Sequence, residues 1–391
     1  MRARNYYFRA VSLHRNFLAR ERFLELPTSH TVPFTWLFQH GNETIKLRAA
    51  QDFASPGQVS QETLDGLGDA ILHAKSTQAI AKRQKDNGTW GGNMLALAPS
   101  AKDGVKEIGT IPQHRRLVQI GLPRGTRPFK LSERVLFRLL SRDDDPALLF
   151  EHAKFAKEGP LAIEWVRDHF REAATAALAE AGYQEDPRIR GAAHKIASAV
   201  SAFLRSPLAE KPFTRVASKT ILDPEAHPPS WYSVAMIAAM PNIQRERAGF
   251  TERLGQYLAL PAPKKEFALM VGKKTFKSDH LILGDPIEAD SKGNAKDIPL
   301  ALYTIELLAR LGALHTSAVA TRVLARLLSE CDDNGIWQPK ALKSAPKPVH
   351  KITYHWYPLH PETKQPESKV IDVTYRLAQI SKILGHSLQI V

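Results

Sequence analysis

Apolar side chains recur at spacings of three and four along most of this chain, and strict alternation is rare. Val32 to Leu37 is apolar, and Asn42 to Phe53 reads as a short helix. Leu64, Leu67, Ile71 and Ala74 share one face of a helix that begins near Ser60, runs towards Gln84 and stops at Asn87-Gly88. Residues 95–130 then read as a break, rich in Gly, Pro and basic side chains. Ser132 is a plausible cap for a helix with Val135, Leu136, Leu139 and Leu140 inward. Asp145-Pro146 and Asp186-Pro187 each pair a capping carboxylate with a proline suited to the first helical position. Between them, Ile163, Val166, Phe170, Ala174 and Ala177 form a stripe closed by Gly182, and Ala193, Ile196, Val200 and Phe203 form the next. Residues 206–229 are irregular. Trp231, Val234 and Ala238 open a hairpin whose return carries Phe250, Leu254, Tyr257 and Leu258. Residues 260–296 read as an insertion with short strands at 267–271 and 280–283. The clearest hairpin runs from Ile298 to Leu328, with Gly312 and the turn 315–317 between its helices. A loop over 338–369 leads to a last helix with Val373, Leu377, Ile380 and Leu384 inward and Gly385 as its stop.

Two of the turns carry the same pattern. Gln84-Lys85-Asp86-Asn87-Gly88-Thr89-Trp90 and Cys331-Asp332-Asp333-Asn334-Gly335-Ile336-Trp337 both contain Asp-Asn-Gly-x-Trp, and each follows a helix-periodic segment. A turn repeated after helices marks an array of helical hairpins, each hiding its apolar face only against its neighbours. The chain is expected to be all-α, with roughly five or six hairpins. Both tryptophans read as structural, each packing its turn on the next hairpin.

The segment Gln84-x-x-x-Gly88-x-Trp90, with Ile80 four residues earlier, resembles the Gln-Trp turn of the squalene–hopene cyclase and protein prenyltransferase β-subunit superfamily. The second copy keeps Gly335 and Trp337 but has Cys331 in place of Gln. Asp297-Ile298-Pro299-Leu300, Leu307 to Gly312, and Asp372-Val373-Thr374-Tyr375-Arg376 resemble inner helices of that superfamily. The resemblance covers residues 30–391 in rhythm. It implies a divergent terpenoid cyclase-like α/α toroid, two rings of helices around an apolar cavity that holds an isoprenoid-type or other hydrophobic ligand. On this reading residues 1–30 are a basic arm or helix. Residues 31–391 are one domain with long insertions near 95–130, 206–229, 260–296 and 338–369. The alternative is an open, HEAT-like α-solenoid, suggested by the Asp-Pro helix starts, that binds nucleic acid or an acidic partner without catalysis.

Composition sharpens the partner question. The 391 residues carry a net charge of +14, which favours nucleic acid, anionic membrane surfaces or phosphorylated small molecules. Cys331 is the one cysteine, so no intramolecular disulfide framework exists. No apolar run reaches the roughly 18 residues of a membrane span. Met1 to Arg22 holds six Arg and one Glu without an apolar core, unlike a secretory signal. The expected location is cytoplasmic, with attachment at a membrane surface left open.

The candidate chemistry follows the resemblance. Alkene-protonating cyclases carry Asp-x-Asp-Asp, and the nearest segment here is Arg142-Asp143-Asp144-Asp145, with Arg142 in the first place. Asp144 is the candidate acid there, and a helix cap is the alternative. Asp297 and Asp372 open helices of the expected inner ring and are candidate catalytic carboxylates, with capping again the alternative. Tyr354, His355, Trp356 and Tyr357 lie in the 338–369 loop, suited to lining a cavity mouth, to cation–π contact, or to plugging the core. Arg115, Arg116, Lys273 and Lys274 are candidate partners for a diphosphate or an anionic membrane. Cys331, Asp332, Asp333, His350, His355 and His360 lack tight ligand spacing, so no zinc or other cofactor is expected. Nucleotide-loop, His-Glu-x-x-His and Gly-x-Ser-x-Gly patterns are absent from the sequence.

Overall fold

The computed structural model describes residues 26–101, 104–141, 144–264, 266–272, 274–276 and 279–391. The basic arm up to residue 25, Arg142, Asp143 and Lys273 lie outside the described residues, and of Lys274 only the backbone is described. The chain is mostly helical. In chain order the helices are α1 (Phe34–His40), α2 (Glu43–Phe53), α3 (Gln61–His73), α4 (Lys75–Lys82), α5 (Thr110–Gln119), α6 (Arg127–Leu140), α7 (Pro160–Glu180) and α8 (Pro187–Arg205). They continue as α9 (Trp231–Ala239), α10 (Pro241–Arg245), α11 (Phe250–Leu258), α12 (Ile298–Arg310), α13 (Ala318–Leu328) and α14 (Ile371–Ile383).

Local signals set many of these bounds. Asn42, Ser60, Asp186, Asp297 and Ser317 accept hydrogen bonds from first-turn N–H groups, as capping side chains do. Other expectations are corrected. The expected single helix from Ser60 is two, α3 and α4, broken at Ala74. The break at 95–130 holds α5, whose residues Ile111 to Arg115 are all buried. Helix α6 starts five residues before Ser132, and the Ser132 hydroxyl donates to Pro128 O at 2.7 Å inside the helix instead of capping it. Asp145 caps a 3-10 turn, Pro146–His152, not an α-helix.

Among the described residues, three two-stranded pairs accompany the helices. β1 (Ser29–Val32) runs parallel to β6 (Ser387–Ile390), Ser29 against Ser387 and Val32 against Ile390. The irregular stretch at 206–229 contains a hairpin of β2 (Phe213–Val216) and β3 (Lys219–Leu222). β4 (Leu269–Val271) pairs with β5 (Lys274–Phe276), and residues 280–283 form a bridge to Ser230, not a strand.

Helices α5, α7, α9, α12 and α14 supply most of the fully buried side chains. Amphipathic α6, α8 and α13 pack against them, and α11 packs on α8. Contacts run from α5 to α7, α7 to α9, α9 to α12 and α12 to α14. Helix α14 packs on α1 and α2, and Thr44 and Arg48 of α2 donate to carbonyls at the end of α5. Val32, Phe34, Ile45 and Phe53 therefore share a core with Leu359, Ile371, Tyr375 and Ala378 from the other end of the chain.

The two Trp-bearing turns have the same hydrogen bonds. Lys85 N–H donates to Thr89 O and Asp332 N–H to Ile336 O, both at 2.9 Å. Gly88 and Gly335 take φ of 88° and 82°, the left-handed region. Trp90 N–H donates to Thr110 Oγ1 on α5, and Trp337 N–H to Thr374 Oγ1 on α14, each at 3.1 Å. Each turn is thereby tied to the buried helix that follows it. Gln84 adds a bond to Pro128 O at 2.9 Å, which Cys331 has no amide to make.

Candidate functional site

Helix α7 places Trp165, His169 and Glu172 along one side, since residues three and four apart are neighbours on a helix. Trp165 stacks on His169 with ring centroids 5.1 Å apart. Opposite them, the start of α9 presents Trp231 and Tyr232. Ser230 caps this end, and its hydroxyl donates to Glu172 Oε1. The segment 280–282 runs alongside, with Trp231 N–H donating to His280 O and Ile282 N–H to Pro229 O, both at 2.8 Å. This brings the His280 ring to 5.1 Å from Tyr232 and 5.4 Å from His169. His152 lies 6.1 Å from Trp165, and His350 6.3 Å from Trp231. His152, Trp165, His169, His280 and His350 are each half-buried, so this histidine–aromatic cluster borders solvent. Burial lowers the pKa of all four imidazoles, against an opposing pull from Asp279 on His280 and His350. His280 is lowered to about 4, and His169 lies well below its ordinary value, with neighbouring histidines adding to the effect.

Glu151 is fixed beside this cluster by an unusual backbone. Phe150 has φ 38° and ψ −123°, a sparsely populated region for a residue with a side chain. The Glu151 carboxylate accepts N–H bonds from Met94 and Leu95 at 2.8–3.0 Å. Burial raises its pKa, and these bonds work the other way. The Tyr232 hydroxyl is fully buried and has no hydrogen-bond partner among the described residues.

Between α5, α7 and α12 the interior is polar. Arg115 of α5 forms two 2.7 Å bonds with Glu180 at the end of α7 and a third, of 3.0 Å, with the Tyr303 hydroxyl of α12. Burial disfavours the Arg115 charge, but Glu180 outweighs this and raises its pKa. The resemblance implies an apolar cavity, yet these helices bring an ion pair and phenols to the middle.

The sequence candidates divide sharply. Trp356 and Tyr357 are buried, and with His355 they plug the space between α5, α12 and α14 instead of lining an open mouth. Trp356 Nε1–H donates to Glu306 Oε2 at 2.8 Å, and the Arg376 guanidinium lies 3.8 Å from its ring centroid. Two carboxylates hold the plug. Asp297 Oδ2 accepts from Val349 and His350 N–H at 2.7 and 2.8 Å. Asp372 accepts from Leu359 and His360 N–H at 2.8 and 2.9 Å. Both open buried helices as expected, and both spend their oxygens on backbone. Asp144 is exposed and paired with Arg167 at 2.8 Å, away from the centre. Arg115 is buried in its ion pair, while Arg116 is half-buried beside Pro358. Burial pushes the Cys331 thiol up to about 12, and no group of three metal-ligating side chains occurs among the described residues.

Glu172, Glu180, Glu306, His169 and His280 were absent from the sequence candidates. Glu306 carried a readable signal, a lone carboxylate between Ile305 and Leu307 in an apolar helix. Trp165 and His169, four apart, carried another.

No protein-family model, curated protein or solved structure matches this chain.

Proposed function

We propose that the chain is an α/α toroid of the terpenoid cyclase and protein prenyltransferase type. Its inner ring runs α2, α5, α7, α9, α12, α14 and back to α2, and it binds a small, largely apolar organic molecule at the histidine–aromatic cluster. Support for the ring comes from the matching Trp turns, each bonded to the next buried helix, and from the packing of α14 on α1 and α2. The cluster carries the ligand reading through one observation. Half-buried imidazoles with lowered pKa values stand against Trp165, Trp231 and Tyr232. Such a surface is rich in π faces, nearly free of charge and dotted with hydrogen-bonding nitrogens, which suits an isoprenoid-type alcohol better than a bare ion. Asp297, Asp372 and Asp144 are occupied elsewhere, so the reading is of a binding site and assigns them no proton transfer.

Tryptophan emission tests it, because Trp165 and Trp231 belong to the cluster. Farnesol, titrated into the full chain, is expected to quench emission saturably. Trp165→Phe is expected to remove part of that change, and His280→Leu to weaken the affinity. No saturable change up to the solubility limit of farnesol overturns the reading.

A further inference from the structure

Three arginines meet the plug, and only one is fully compensated. Arg115 has the two oxygens of Glu180 to itself. Arg116 and Arg376 instead flank the stretch Trp356–Pro358. Arg376 Nη2 donates to Trp356 O at 2.6 Å, and Arg116 Nη2 donates to Pro358 O. The carboxylates acting on these two cations are Asp372 and Glu306. Asp372 already accepts two backbone N–H groups, and Glu306 is shared with Arg310 at 2.9 Å, leaving it 3.6 Å from Arg376. Arg116, Arg310 and Arg376 thus draw on Asp372 and Glu306, with Asp52 and Glu180 also acting on Arg310. Arg376 is fully buried, yet its Nε–H has no partner among the described residues, and neither has Nη1 of Arg116. Burial lowers the pKa of both, the reverse of Arg115. An unpaired buried N–H on a charged group is costly and calls for a missing acceptor.

We propose that a small oxyanion, a phosphate or carboxylate group, binds between Arg116 and Arg376 beneath residues 356–358. The anion would set negative charge beside both guanidiniums and accept the two orphaned N–H groups. Arg116, which retains contact with water, marks the side of entry. This site is separate from the histidine cluster and does not rest on its ligand.

Inorganic phosphate is the probe. Thermal unfolding of the full chain is followed in phosphate and in chloride at matched ionic strength and pH. Phosphate is expected to raise the midpoint saturably above the chloride value. Arg116→Gln is expected to abolish that increment, while its midpoint in chloride stays at or above the parent's, since a poorly compensated charge is gone. Equal midpoints in the two salts for the parent overturn the proposal, as does a full phosphate increment in Arg116→Gln. Should Arg116→Gln not fold, Arg116→Lys keeps the charge but loses the fork. It must then weaken phosphate about tenfold in a calorimetric titration, and unchanged affinity overturns the proposal.

Discussion

Gly335→Ala is the sharpest perturbation of the seam between the two ends of the chain. A Cβ built at Gly335 lies 1.8 Å from the carbonyl oxygen of Thr31, in the middle of β1. Neither backbone yields cheaply, because β1 pairs with β6 and the turn is bonded through Trp337 to α14. The left-handed φ of 82° adds about 1–2 kcal/mol for any residue with a side chain. With the forced displacement, the loss of unfolding free energy is expected to reach about 3–4 kcal/mol, near the top of the range for single changes. Gly312→Ala provides the control, because φ there is 66° but nothing lies within 4 Å of the added carbon. It should cost only about 1 kcal/mol. Urea unfolding gives both values. If Gly335→Ala costs no more than Gly312→Ala, the turn does not press on β1, and the reasoning about the seam fails.

Glu306→Ala leaves Arg376 and Trp356 Nε1–H unpaired in the interior, and is expected to cost about 3–5 kcal/mol in chemical denaturation; a loss under about 1 kcal/mol would contradict it. Burial raises Asp285 to about 6, so the native state binds its proton more tightly than the unfolded chain does. Stability of the parent should therefore fall as pH rises from about 4 to about 6 on this group's account. Asp285→Asn should then be more stable by about 2–3 kcal/mol at pH 7, with no advantage below pH 4. For His280 the sign reverses. Its pKa is lowered to about 4, so the native state binds fewer protons and stability should drop as pH falls from about 6.5 to about 4. His280→Gln should flatten that limb by about 2–3 kcal/mol, measured as urea midpoints against pH.

Most amphipathic helices, several caps and the two Trp turns were readable because each rests on residues close in sequence. Asp186-Pro187 and Gly312 announce a start and a stop whatever packs around them. Helix α5 was not readable. Gly109, Pro112 and Gly121 look like breakers, and Gln113, His114 and Arg115 look like surface positions. They are buried because Ser132, Glu180 and Tyr354 arrive from elsewhere to pair with them. A helix that buries polar side chains together with apolar ones does not show the apolar stripe that periodicity looks for. The site failed for the same reason. Its histidines come from α7, from the 3-10 turn Pro146–His152 and from two loops, and its carboxylates matter through partners 65 or 50 positions away. Asp297 and Asp372 were correctly placed at helix starts, but the backbone N–H groups they hold lie 52 positions further on and 13 positions back.

Native-state hydrogen exchange at the seam tests the closed ring most directly. The amides are Thr35, bonded to Val391 O, Val391, bonded to Val32 O, and Ser387, bonded to Thr28 O, at 2.8–3.0 Å. In a closed ring, parting these strands uncovers the core shared by α2 and α14, so the amides should open only with the free energy of α9 and α12. In an open array, the two ends would fray independently. Seam amides that exchange with markedly lower opening free energies than the buried helices would contradict the toroid.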